Sequence, residues 1–372
     1  MATVNIGMLG YGFMGKAHSN AFRQVRHFFP GKFEPRLRVI CGTDRHKLER
    51  AAAQYGWEET ETDWRRVVER ADIDIVDICT PNHLHAAQAI AAAAAGKHII
   101  CEKPLANSVA ETCEVVNAVE RAGVKHMVMF NYRRVPAVAY ARQMIEAGRL
   151  GRINRYHGAY MQDWIVDPGF PLSWRMQQQY AGSGALGDIG SHAVDLALYL
   201  NGGIESVTGM LTTFIKQRPS GEGAGDVTVD DDAAFLARFR NASVGIFQAS
   251  RFCTGRRNAN TFEIHGSDGS LRFDLERLNE LEWYDRNAPV QDRGFRTLPV
   301  LERTHPYVAA WWPVGHMLGW EHTFVHAVHD FLTCLEEDRM PAPSFRDGLE
   351  VQVVLEAVQE SARTGTWQNI KP

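Results

Sequence analysis

Through the first 130 residues, short apolar runs alternate with amphipathic stretches. Val4–Leu9, Leu37–Cys41, Ile75–Ile78, His98–Cys101 and Met127–Phe130 are dominated by apolar and β-branched side chains. Lys16–Arg26, Arg45–Tyr55, His83–Ala95 and Val109–Ala122 carry apolar positions at helical spacing. Strands that are apolar on both faces and alternate with helices predict a parallel sheet covered on each side. After a further helical segment, 135–148, the pattern changes. Ile153–Met161, Ile204–Phe214, Ala233–Phe239, Ser243–Arg251, Thr261–Gly266 and Ser270–Phe273 follow one another with glycine turns and few crossover helices. The expected architecture is an α/β domain over 1–130 and an α+β domain over 131–372 with a large, mostly antiparallel open sheet. The last helix is free to pack back on the first domain. The glycine-rich segment 218–230 predicts a mobile loop.

The first apolar run leads at once into Gly10-Tyr11-Gly12-Phe13-Met14-Gly15. GxGxxG between a strand and a helix is the fingerprint of a Rossmann-type dinucleotide site. Gly10 permits the turn, Gly12 admits a pyrophosphate, and Gly15 lets the helix pack on the strand. Phe13 and Met14 lie in the turn before the helix whose amino end faces the phosphates. After the second strand an acid usually holds the ribose hydroxyls. Here Gly42 stands in that place, followed by Thr43, Asp44 and Arg45. Thr43 and Arg45 suit a 2′-phosphate, whereas Asp44 either reaches the ribose or caps the next helix. NAD and NADP both remain open. Thr80, Pro81, Asn82 and His85 lie after the third strand and Glu102 and Lys103 after the next, where loops face a ligand crevice.

Further on, Gly182–Leu200 passes from a glycine-rich turn into a helix, with Asp188 and His192 four residues apart on one face. A carboxylate one turn from an imidazole orients the ring and tunes it for acid–base work on a hydroxyl or carbonyl. Lys103 can stabilise alkoxide character on the same oxygen. Trp174 and Arg175 precede the turn and suit the nicotinamide end. His322, His326 and His329 share one helical face, but no fourth ligand completes a zinc site, and no metal is expected.

Composition narrows the partners. The chain has 372 residues, enough for two cores, and a net charge of −4, which offers no attraction to nucleic acid or membrane. Six cysteines without regular spacing, and no leader-like amino terminus, predict a cytoplasmic protein with reduced thiols.

GxGxxG, Cys79–His85, Cys101–Ala106 and Gly184–Leu200 together resemble the Gfo/Idh/MocA family of NAD(P)-dependent sugar and polyol oxidoreductases. The resemblance covers nearly the whole chain and implies Lys103, Asp188 and His192 as catalytic residues. It also implies a homodimer or homotetramer built on the free sheet face. Stretches such as 130–134, 162–164 and 171–175 are most similar to the family's anhydrosugar dehydrogenases. This implies hydride transfer at C3 of levoglucosan or a related glucoside, with Asn131, Tyr132, Arg133, Gln162 and Asp163 binding hydroxyls. An inositol dehydrogenase, a nicotinamide-recycling lyase or hydrolase, and a non-catalytic nucleotide sensor are the alternatives.

Overall fold

The computed structural model describes residues 2–221 and 223–371. The chain packs as two units, Met1–Arg134 with Gly319–Glu350, and Val135–Leu318 with Val351–Pro372. A cut at 130/131 would leave 319–350 with the second unit. In packing, this stretch joins the first. Phe324, Val325, Val328, Phe331 and Leu332 bury the apolar face of helix His322–Glu336, and Glu336 pairs with Arg26 at 3.3 Å.

The first unit holds six parallel strands, β1 Ala2–Leu9, β2 Phe33–Cys41, β3 Glu59–Glu61, β4 Ile75–Ile78, β5 His98–Cys101 and β6 His126–Val128. Their order is β3-β2-β1-β4-β5-β6, so strand order reverses between β1 and β4. In open parallel sheets that reversal opens a crevice at the carboxyl ends. The helices are α1 Phe13–Phe28, α2 Arg45–Tyr55, α3 Trp64–Glu69, α4 His85–Ala94 and α5 Val109–Ala122. Sequence periodicity does not reveal β3, because Glu59-Thr60-Glu61 is polar throughout and lies at the sheet edge.

The second unit is built on β7 Ile153–Met161, β8 Ile204–Thr212, β9 Gln217–Ser220, β10 Gly223–Asp226, β11 Asp232–Phe239, β12 Val244–Ser250, β13 Ala259–Gly266, β14 Gly269–Asp274, β15 Glu280–Asp285, β16 Arg296–Pro299 and β17 Gln368–Asn369. Nine of these form one sheet, in the order β16-β15-β14-β13-β7-β12-β11-β8-β17. Only β7 and β12 run parallel; the remaining pairs are antiparallel. One face is covered by side chains such as Tyr156, Phe235 and Phe247.

The expectation of a loop over 218–230 is corrected. β9 and β10 pair antiparallel, and Arg218 is buried, donating to the Asp167 carbonyl at 2.9 Å. Val227 and Val229 then join an apolar cluster with Ile165 and Met176. Glycine content suggested freedom, but the buried arginine and two valines anchor the segment. Among the described residues, no helix is long and apolar enough to cross a membrane.

Candidate active site

The turn after β1 is shaped by its glycines. Gly10 has φ +104°, and a Cβ there would sit 2.5 Å from the Cys79 carbonyl oxygen. A Cβ on Gly15 would lie 2.3 Å from the Gly10 oxygen, so α1 packs directly on the turn. At Gly12 a Cβ meets nothing within 4 Å. Gly12 caps α1 without a side-chain bond, and the first turn carries no acid. Free backbone N–H groups beside open space at a helix amino end fit a pyrophosphate. Phe13 is exposed and stacks on Trp320 at 5.4 Å.

Gly42 has a packing reason. A Cβ there would fall 2.1 Å from the Tyr11 ring, which occupies the space of the usual acid. Asp44 caps α2 by accepting from the Lys47 N–H at 3.1 Å and pairs with the Lys47 ammonium. Of its two expected roles the structure thus displays the cap. Thr43 and Arg45 are exposed at the same edge.

The loops after β4 and β5 are fastened from behind. Thr80 donates its hydroxyl to Gln88 at 2.7 Å, and Pro81 and Asn82 lead through a short 3₁₀ turn into α4. His85, expected at the cofactor, has a fully buried ring 2.8 Å from each of the Thr80 and Pro104 carbonyl oxygens. Burial lowers its pKa, and a neutral ring, with one N–H, donates to one of these two carbonyls. Glu102 is likewise buried. Its carboxylate bonds His18 at 3.0 Å and accepts the Lys103 N–H at 3.2 Å, so it supports the Lys103 backbone. Lys103 itself is half-buried and precedes a cis proline.

His18, Asp77 and Cys79 bring three metal-type ligand atoms within 4.8 Å of one another. The contacts there are those of an ion pair, with His18 Nδ1 2.9 Å from Asp77. Burial pushes the Cys79 thiol up to about 12, so it stays protonated.

Two expected sugar ligands lie at the turn after β6. Asn131 is buried and donates to Thr323 Oγ1 at 2.9 Å, and Arg133 is buried and pairs with Asp347 at 3.0 Å. Both side chains hold the turn against 319–350. Tyr132 is also buried, its hydroxyl accepting from Trp320 Nε1 at 3.3 Å.

In the second unit, Leu186–Gly190 winds as a π turn and continues into helix Ser191–Asn201. π turns inside helices often mark functional positions. Asp230 secures this one: its carboxylate accepts the Gly184 and Leu186 N–H groups at 2.8 and 2.7 Å. A Cβ on Gly184 would collide with the Asp230 oxygen. Burial raises the Asp230 pKa, and the two N–H bonds oppose that.

Asp188 lies in the π turn, and its Oδ2 accepts from Arg251 Nη2 at 2.8 Å. Arg251 is buried, also donates to the Gly184 carbonyl at 3.1 Å, and lies 5.4 Å from the Trp164 ring. It was not foreseen; only its place beyond a strand end, after Ser250, marked it. His192 is buried beside Tyr160, ring centroids 5.9 Å apart. The Tyr160 hydroxyl donates to Asn258 Oδ1 at 2.6 Å, and Gln162 Nε2 donates to the same oxygen at 2.9 Å. Trp164 Nε1 donates to Gln162 at 2.9 Å. Asp163 accepts from the Gly255 N–H at 3.0 Å and pairs with Arg257 at 3.1 Å. Arg175 lies 4.4 Å over the Trp174 ring. Tyr160 and Asn258 were missed because nothing in their local sequence distinguishes them from ordinary strand and turn residues.

A parallel sheet with a glycine turn at its switch point, a lysine-bearing loop nearby, and a separate sheet domain presenting an acid–imidazole turn define a dinucleotide-dependent oxidoreductase. Residues 4–130 match the family model for the oxidoreductase family, NAD-binding Rossmann fold, and residues 138–272 match the GFO/IDH/MocA C-terminal domain. The chain belongs to the Gfo/Idh/MocA family. It is 44% identical to the levoglucosan dehydrogenase of Pseudarthrobacter phenanthrenivorans, over 100% of this chain and 99% of that protein. An oxidoreductase domain protein from Kribbella flavida matches at TM-score 0.98 and 50% identity, with 100% of both chains covered. Levoglucosan dehydrogenase in complex with NADH and levoglucosan matches at TM-score 0.97 and 44% identity, also over 100% of both.

Proposed function

We propose that this protein oxidises the C3 hydroxyl of levoglucosan or a related glucoside to a ketone, with NAD as oxidant. The observation that carries this reading is the full-length, 44% likeness to a levoglucosan dehydrogenase. The open space at Gly12 and the uncapped amino end of α1 suit the dinucleotide. When bound, the nicotinamide takes up the hydride from carbon.

The remaining chemistry belongs to the chain. His192 accepts the hydroxyl proton. Asp188, held by Arg251, orients the imidazole and stabilises its protonated form. Lys103 donates to the reacting oxygen, which lowers the cost of alkoxide character. Gln162 and its partners Asn258 and Trp164 supply hydroxyl partners and an apolar ring face for a pyranose. The 1–130 domain serves the cofactor, and 131–372 serves the substrate and assembly.

NMR of the product tests the substrate assignment. The expected outcome is NAD reduction with levoglucosan and a ketone at C3. Oxidation at another carbon, activity confined to inositols, or product without net NADH would overturn it.

We also propose a cytoplasmic homodimer or homotetramer. Free thiols at all six cysteines suit a reducing compartment. Met210, Leu236 and Val244 are exposed on β8, β11 and β12, and strand register places them on one sheet face. Such a patch suits a second copy. Light scattering on the purified protein is expected to give two or four copies, and Leu236→Lys to shift it toward monomer. A monomeric wild type would refute the assembly.

A further inference from the structure

Behind Lys103 lies a buried ionic chain that the proton transfer does not use. His18, on α1, is fully buried. Its Nδ1 is 2.9 Å from Asp77 Oδ2 on β4, and its Nε2 is 3.0 Å from Glu102 Oε1 beyond β5. A neutral imidazole carries one N–H, so a ring bridging two carboxylates at these distances donates from both nitrogens and is an imidazolium. Burial alone would lower the ring's pKa; the Asp77 carboxylate outweighs it and holds the pKa well above 6.5. The second Glu102 oxygen accepts the Lys103 N–H at 3.2 Å. Lys103 is therefore tied by its backbone to a carboxylate, which an imidazolium anchors to the middle of the sheet.

A relay of rings links the same imidazole to the start of the cofactor helix. His18 lies 5.4 Å from the Phe324 ring, Phe324 packs on Trp320 at 4.6 Å, and Trp320 stacks on Phe13 at 5.4 Å. Phe13 is the first residue of α1, next to Gly12.

We infer that His18 is a positioning residue, whose bridge between Asp77 and Glu102 holds the Lys103 loop in register with the cofactor helix. This rests on the assignment of Lys103 to the reacting oxygen. The bridge makes the loop stiff where a lone backbone bond would let it shift, and small misplacements of a reacting group are costly.

A double-mutant cycle on the full-length enzyme tests it. His18→Asn keeps one donor and cannot span both carboxylates. It is expected to lower kcat by about 10- to 100-fold. Residues acting through one another are non-additive, so His18→Asn combined with Lys103→Ala should fall within about threefold of Lys103→Ala alone. Thermal unfolding and NAD titration accompany each variant. If His18→Asn does not fold, Asp77→Asn, which loosens the anchor at similar size, enters the same cycle. Unchanged kcat in the single variant, or a double variant that loses the full product of the two factors, overturns the inference while leaving the role of Lys103 intact. Wild-type turnover in Lys103→Ala instead removes that role, and this inference with it.

Discussion

Lys103→Ala and His192→Ala are each expected to lower kcat by about 10²–10⁴ while leaving NAD affinity nearly unchanged. The proposed proton acceptor lies on the first turn of a helix that a π turn introduces, beside Tyr160, and Asp188 is held at 2.8 Å by Arg251. Without it, the hydroxyl proton must leave to water. Removing Lys103 takes away a cationic donor at the oxygen where negative charge develops, which is an interaction strengthened in the transition state. Loss in kcat rather than in binding is therefore the signature. Initial rates of NADH appearance, with NAD titrated by fluorescence, measure both. Near-normal turnover in either variant would remove the role assigned to that residue.

Gly12→Val is expected to abolish NAD binding without unfolding the protein. A Cβ at Gly12 meets nothing within 4 Å, so the fold accepts a side chain there. The same open space is where a pyrophosphate must approach the backbone N–H groups. Gly10→Ala offers the contrast: with φ +104° and the Cys79 oxygen 2.5 Å from a Cβ, it should lower stability as well. Calorimetric titration with NAD and thermal unfolding of both variants separate the two effects. In the wild type, NAD and NADP should differ by less than about a thousandfold, or ~4 kcal/mol. No carboxylate stands at position 42 to repel a 2′-phosphate, because Tyr11 fills that space, and the Asp44 side chain is engaged as a helix cap. Retained NAD binding in Gly12→Val, or a larger cofactor preference, would contradict this account of the turn.

Local signals in the chain mark many of its strands and helices. Ile75–Ile78, His98–Cys101 and Ile153–Met161 are strands with the bounds that their apolar and alternating patterns predict, and Arg45–Tyr55 and Val109–Ala122 are helices with theirs. Such patterns are local because strand and helix periodicities repeat every two and 3.6 residues. GxGxxG, EKP and the Asp188–His192 spacing were equally legible, since each sits within a few residues. What each polar side chain does was decided by the tertiary fold. Asn131 and Arg133 bond Thr323 and Asp347, partners that no local pattern announces. His85 bonds the Pro104 carbonyl and Glu102 bonds His18, contacts that only the packed chain creates. Arg251 reaches Asp188 across 63 residues, and His18 reaches Glu102 across 84. A buried polar group must find a partner, and the partner is whichever group the packed chain brings within about 3 Å, however distant in sequence.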